Sequence, residues 1–145
     1  MKTITDKVKT FEDVCKILEI NTTVPDFSIL PIPSEHIKSF TAYYKLIMIA
    51  KALNEGWEPN WDDDKEKKWY PYFAMKTNNG CGDLSGFGFS CTYYDFWGAY
   101  TGCGSRLYFR TQHLAKYAGK QFEAIYKDFL ILEDKELRKI NLFLE

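Results

Sequence analysis

Three cysteines and a histidine gather in the second half of the chain: Cys81, Cys91, Cys103 and His113. Thiolate and imidazole are common zinc ligands, and as a pair they make a nucleophile and its base. Structural zinc sites bring thiolates in close pairs, with two to four residues between them. Here nine residues separate Cys81 from Cys91 and eleven separate Cys91 from Cys103. Convergence would have to come from neighbouring strands. The plainer reading is preferred: Cys91 takes an apolar strand position, where free cysteine packs as a small hydrophobe, and Cys81 and Cys103 fall in turns. No metal and no cofactor is expected. A cysteine nucleophile also needs an orienting group beyond its base. Cys103, His113 and Asp83 supply a conceivable trio, so Cys103, Cys81 and His113 stand as weak catalytic candidates. Against them, a histidine in a first helical turn is usually just exposed.

The stretch "GCGDLSGFGFSC" (80–91) also invites a phosphate-loop reading. A Walker loop needs Gly-Lys-Ser/Thr at its end, and no Gly-Lys occurs here. The dinucleotide pattern finds Gly80 and Gly82, but Ser85 stands where its last glycine belongs; Gly102 and Gly104 fail likewise at Leu107. In "NWDDDKE", Asn60, Asp62, Asp64 and Glu66 alternate like the start of a calcium loop. Lys65 replaces the glycine that loop requires, and Pro71 its closing glutamate. A solvated acidic loop is the expectation. "NNGCGDLSG" reads as a turn between strands, its glycines supplying positive φ.

Aromatic side chains are the larger anomaly. Of the 145 residues 17% are aromatic, and fifteen of the 25 aromatics fall between Trp57 and Phe109. Along the strands they occupy both alternating faces, Tyr70 and Tyr72 opposing Trp69 and Phe73. One face must cover helices. The other is either covered by the segment Val24–Pro33 or left as a contact surface. Trp57, Trp61, Tyr70, Tyr72, Arg106 and Arg110 are therefore the candidate ligand- or partner-binding residues. A formal net charge of −1 argues against a domain built mainly to grip a phosphate backbone, so a protein partner is preferred over nucleic acid.

The elements that must position these groups follow from patterning. Thr10, with Asp13 three residues on, predicts a capped helix burying Phe11, Val14 and Leu18. Pro25, Pro31 and Pro33 predict an extended segment laid on the core through Phe27, Ile29, Leu30 and Ile32. Ser34 is expected to cap a long helix that stops at Gly56. Ile37, Phe40, Tyr44, Ile47 and Met48 form one stripe on it; Leu46, Ile49 and Leu53 form another. A helix apolar on two sides is buried on two sides, either centrally or as a homodimer interface through residues 35–55. Three strands follow. The first starts near Trp69, with Pro71 marking an edge. In the second, Phe87, Phe89, Cys91 and Tyr93 share a face. The third is "SRLYFR", with Leu107 and Phe109 inward. Short glycine-containing turns make the strands antiparallel. Thr111 caps a last helix with Leu114, Ala118, Phe122, Ile125, Phe129 and Leu132 in line. Gly119 costs this helix about 1 kcal/mol against alanine, so a close contact is expected there. Residues 133–145 read as a further short helix. The fold expected is a single α+β domain over 1–145, in the order α-α-β-β-β-α. Its three-stranded antiparallel sheet packs against the long helix and the last one.

No stretch reaches the roughly 18 apolar residues of a membrane span, and "MKTITDKVKT" has no signal-peptide core. No membrane role and a cytoplasmic location with free thiols are expected.

Two stretches, "KALNEGWEPNWDDDKEKKWYPYF" and "GSRLYFRTQHLAKYAGKQFEAIYKDFLI", together resemble a group of small uncharacterised proteins. Phages, prophages and mobile elements of gut Bacteroidales bacteria encode that group. The resemblance covers roughly residues 38 to 132, and residues 78 to 104 match it least. It carries over no catalytic or binding residue. It implies a setting: a bacterial host cell and a mobile genome. The expected function is a non-enzymatic binding module using its aromatic sheet face. The alternatives are a small cysteine- and histidine-dependent enzyme and a virion or assembly component.

Overall fold

The computed structural model describes residues 1–75, 87–95 and 100–132. The turn expected over 78–86, Cys81 and Asp83 within it, Phe96 and Trp97, and the helix expected over 133–145 lie outside those residues.

The chain opens with a single turn, α1 (Ile4–Lys7), and the helix α2 (Phe11–Leu18). The cap forms as its sequence dictates: Thr10 Oγ1 accepts the Asp13 N–H at 3.3 Å, and Asp13 Oδ2 accepts those of Thr10 and Lys9 at 3.0 and 2.9 Å. Donors without intrahelical partners are thereby satisfied. Phe11 and Val14 are buried, with Leu18 packed at the core's edge. The proline-rich segment contains a 3₁₀ turn, Phe27–Ile29, fixed by Asp26 accepting the Ser28 N–H at 3.0 Å. Phe27 lays its ring against Phe40 and Tyr44, so this segment covers a helix, not the sheet. Ile29, expected to pack inward, is 81% exposed.

Ser34 does not cap the long helix. It opens a second 3₁₀ turn, Ser34–His36, and α3 runs Ile37–Asn54. The reversal comes where Gly56 predicts it: Glu55 takes a left-handed conformation and Gly56 follows at φ 89°. One apolar stripe of α3 is fully covered within the chain and the other only in part, Phe40 remaining 43% exposed. Leu46, Ile49 and Leu53 sit in the core, each fully buried side chain contributing about 1.5–3 kcal/mol. The other stripe meets α2 through Phe11–Tyr44 and the proline-rich segment through Phe27. Tyr43, beside it, stacks on Phe129 of the last helix, rings 5.6 Å apart. Elements of the same chain thus pack on both sides of α3.

The sheet has two described strands, β1 (Lys68–Met75) and β2 (Phe87–Asp95), paired antiparallel. The third expected strand contributes a single bridge, Trp69 to Phe109, closed by N–H···O bonds of 3.1 and 2.7 Å. The pairing stops there because the next ladder position on β1 is Pro71, which has no N–H, and the Leu107 N–H turns back to Gly104 O at 3.5 Å. On the segment's far side a side chain takes up the backbone groups. Asn54, at the end of α3, donates from Nδ2 to Tyr108 O at 2.8 Å and accepts Arg110 N–H at Oδ1 at 3.0 Å. One carboxamide stands in for a neighbouring strand. Leu107, Tyr108 and Phe109 are consequently all buried, and inward–outward alternation is lost.

A second departure lies in β2. Tyr72 pairs with Cys91 but Phe73 with Phe89, so Ser90 is an extra residue in a β-bulge. Because side chains alternate with period two, one inserted residue switches the face. Phe87 and Phe89 point to the helices; Cys91 and Tyr93 point away and are exposed. Cys91 is therefore not the small core hydrophobe expected from strict alternation.

The last helix is two. Thr111 Oγ1 caps α4 (Gln112–Gln121) by accepting Leu114 N–H at 3.2 Å, and a break at Phe122 begins α5 (Glu123–Leu130). Leu114, Ala118 and Phe122 are buried as the stripe predicts, but Leu132 is 62% exposed. At Gly119 the expected close contact is present. A Cβ there would lie 2.5 Å from the Phe89 ring and 2.8 Å from Pro71 Cβ. Glycine lets α4 approach the sheet's inner face. No helix among the described residues is long and apolar enough to cross a membrane.

Candidate functional site

The sheet's outer face carries the aromatic ladder. Tyr72 and Tyr93, diagonal neighbours across the two strands with rings 5.5 Å apart, are 53% and 56% exposed. Tyr70 adjoins Tyr72 at 6.3 Å and is half-buried because Tyr108 packs edge-on against it at 5.8 Å. Tyr108 belongs to a polar cluster under one end of this face. Its hydroxyl donates to Asp95 Oδ2 and lies 2.6 Å from Thr101 Oγ1. Thr101 Oγ1 in turn accepts the N–H groups of Cys103 and Gly104 at 3.1 and 2.9 Å, closing the turn. Burial first, then the bond to Asp95, pushes the Tyr108 hydroxyl far above the usual tyrosine range; burial, then the Asp95 charge, raises Tyr70 as well. Both phenols stay neutral donors, and the cluster is a fixed support for the exposed pair.

Cys103 touches the same cluster. Burial raises its thiol above the ordinary cysteine range, against the hydrogen bonds to Tyr108 and Thr101 that lower it. The residue is nonetheless exposed at the surface. A thiol held protonated is the reverse of an activated nucleophile, which needs a lowered pKa or an adjacent base. His113, exposed in the first turn of α4, is not among the groups that bond or shift Cys103. The described residues contain no cluster of three metal-ligating side chains.

The remaining sequence candidates divide. Trp61 lies under the ladder, donating from Nε1 to Ser105 Oγ at 2.7 Å with its ring edge-on to Tyr108 at 5.6 Å. Its other neighbour is the Lys68 ammonium, 5.2 Å from the ring centroid. Lys68 itself is fully buried. Its Nζ donates to Asp63 O and Glu66 O at 3.3 and 3.1 Å and lies 3.5 Å from Glu66 Oε1. The acidic loop thus closes on the Lys68 ammonium. Arg110 pairs with Glu55 at 3.5 Å, both partly exposed. Trp57 and Arg106 line a different feature, an open cavity of about 540 Å³ beside the last turns of α3. Arg106 and Arg110 therefore do not serve the tyrosine face as the alternation of a regular strand implies.

Tyr93, Tyr108 and Asp95 were not among the sequence candidates. Tyr93 was hidden by the bulge, and Tyr108 by an alternation that its segment does not keep. Asn54 carries no signal beyond a polar residue in the last turn of a helix. Comparisons with protein-family models, curated proteins and solved structures returned no match to this chain.

Proposed function

We propose that the protein is a non-enzymatic binding module whose contact surface is the outer sheet face centred on Tyr72 and Tyr93. The observation that supports this reading is their pairing: two large, amphipathic side chains, more than half exposed, held side by side on a braced sheet. Tyrosines offer wide contact area at low conformational cost, which is why they recur at protein-binding surfaces. A protein partner fits better than nucleic acid, since the net charge of −1 provides no general attraction for phosphate. In this reading, which follows the resemblance to phage and mobile-element proteins, the partner is met in the cytoplasm of a bacterial host.

The test compares the native chain with Tyr72→Ala/Tyr93→Ala and with Cys103→Ser in affinity capture from Bacteroidales lysate, with and without phage particles. The expected result is one partner, lost with the tyrosine variant and kept with the cysteine variant. Loss with Cys103→Ser alone would favour the enzyme reading. Capture of intact particles alone would favour an assembly component.

A further inference from the structure

The cavity beside α3 is separate from the tyrosine face and arises from a different convergence. The left-handed pair Glu55–Gly56 turns the chain back on α3, so that Trp57, Glu58 and Pro59 form one wall. Asn54 pins the segment at Tyr108 and Arg110 and so brings Ser105 and Arg106 to the other side. The floor is α3 itself, through Ile47, Met48 and Lys51. At about 540 Å³ the space falls within the roughly 300–1,000 Å³ of small-molecule sites. Its lining is mixed in the way such sites are: an indole, a thioether and a proline for an apolar body, with a few polar groups converging on it.

The charges choose the ligand class. Lys51 and Arg106 bring two cations to the cavity against the single carboxylate of Glu58. Arg110 is different: it is already paired with Glu55. Neither Lys51 nor Arg106 forms an ion pair among the described residues. The end of α3 adds partial negative charge from its last carbonyls, which keeps the excess small and disfavours a polyanion such as a nucleoside triphosphate. We infer that this cavity binds a small planar organic anion of one negative charge, its ring against Trp57 and Met48 and its anionic group on Arg106 and Lys51. This goes beyond the tyrosine-face reading and does not depend on it.

The test uses two probes of similar size and shape: anilinonaphthalene sulfonate, which carries a flat naphthalene and a single negative charge, and uncharged phenylnaphthylamine. Titration of the full chain should show one sulfonate site per chain. Lys51→Ala/Arg106→Ala should weaken sulfonate binding at least tenfold and leave phenylnaphthylamine within about twofold. Glu58→Gln should tighten the sulfonate. All three side chains are at the surface, so the variants should fold, and circular dichroism checks that they do. The proposal is overturned if the sulfonate does not bind, if it binds at several equivalent sites, or if the double substitution leaves its affinity unchanged. It is also overturned if Tyr72→Ala/Tyr93→Ala abolishes sulfonate binding while Lys51→Ala/Arg106→Ala does not. Loss of partner capture alone in the tyrosine variant bears only on the sheet face.

Discussion

Asn54 holds the backbone of Arg110 as a strand would, accepting its N–H at 3.0 Å while donating to Tyr108 O at 2.8 Å, across a sequence separation of 56 residues. The side chain is buried and both its hydrogen-bonding ends are used. It fastens the end of the central helix to the segment that carries Tyr108 and Arg106. The cavity and the support beneath the tyrosine face therefore share one fastening.

Asn54→Ala should cost about 2–3 kcal/mol, because it strands a backbone donor and acceptor in a largely buried place. Urea unfolding measures the loss. Asn54→Asp should be nearly as damaging, since a carboxylate can keep the Arg110 bond but cannot donate to Tyr108 O. A loss below about 0.5 kcal/mol for the alanine variant would mean that the segment's other contacts, the Trp69–Phe109 bridge and the Tyr108–Asp95 bond among them, hold it without Asn54.

Gly119→Ala sets two effects of opposite sign against each other. Helix propensity alone favours alanine by about 1 kcal/mol. The added methyl would meet the Phe89 ring at 2.5 Å and Pro71 at 2.8 Å, and overpacking of this kind costs about 1–3 kcal/mol. The expected net is destabilisation, read as a lower melting temperature. Combining it with Phe89→Leu should recover part of the loss. Stabilisation by the single substitution would show that α4 has room to move off the sheet.

Lys68→Met keeps the length of the buried side chain and removes its charge. The carbonyls of Asp63 and Glu66 then lose their donor. The expected cost is about 1–3 kcal/mol, with loss of hydrogen-exchange protection at the Asn60 and Lys65 amides that the loop's own carboxylates hold. Unchanged protection at those amides would show that the acidic loop needs no internal cation.

Asp13 gives a pH-dependent prediction with a definite sign. Hydrogen bonds from the Lys9 and Thr10 N–H groups, the Lys9 bond foremost, lower its carboxyl below the ordinary aspartate range. A carboxyl lowered by folding adds stability above its unfolded pKa and loses it as pH falls through the folded one. The stability gap between the native chain and Asp13→Ala should therefore be fullest near neutral pH and shrink below about pH 4. Denaturant unfolding at pH 6 and pH 3 measures it. A gap that widens on acidification contradicts the assignment.

Much of the helical framework was legible because its signals are local. Thr10 with Asp13, Thr111, the reversal at Gly56 and the tight approach at Gly119 each follow from a residue and its near neighbours. The sheet was less legible because its decisive features are not local. Nothing in "FGFSCTYYD" says that Ser90 is out of step; that depends on which residue stands opposite. Nothing in "SRLYFR" says that a side chain 54 residues away will take the place of a strand beside Tyr108. Of the six aromatic and arginine candidates, the structure groups five in two places and leaves Arg110 in a surface pair with Glu55. Tyr70 and Tyr72, with Trp61 beneath them, belong to the sheet face; Trp57 and Arg106 belong to the cavity.

The bulge at Ser90 acts as a phase shift written in one residue. Before it, β2 assigns its large side chains to the interior; after it, the same alternation delivers them to the surface. The exposed tyrosines are thereby continuous with a strand whose first half is clamped in the core, and they inherit its rigidity without a separate scaffold. Drawn into the ladder in regular alternation, Ser90 would turn Cys91 and Tyr93 inward, whereas its deletion would straighten the strand and leave both on the outer face, Phe73 still opposite Phe89 and Tyr72 opposite Cys91. Whether this surface presents tyrosines is thus decided by whether one residue steps out of the ladder as much as by the kinds of residue in it.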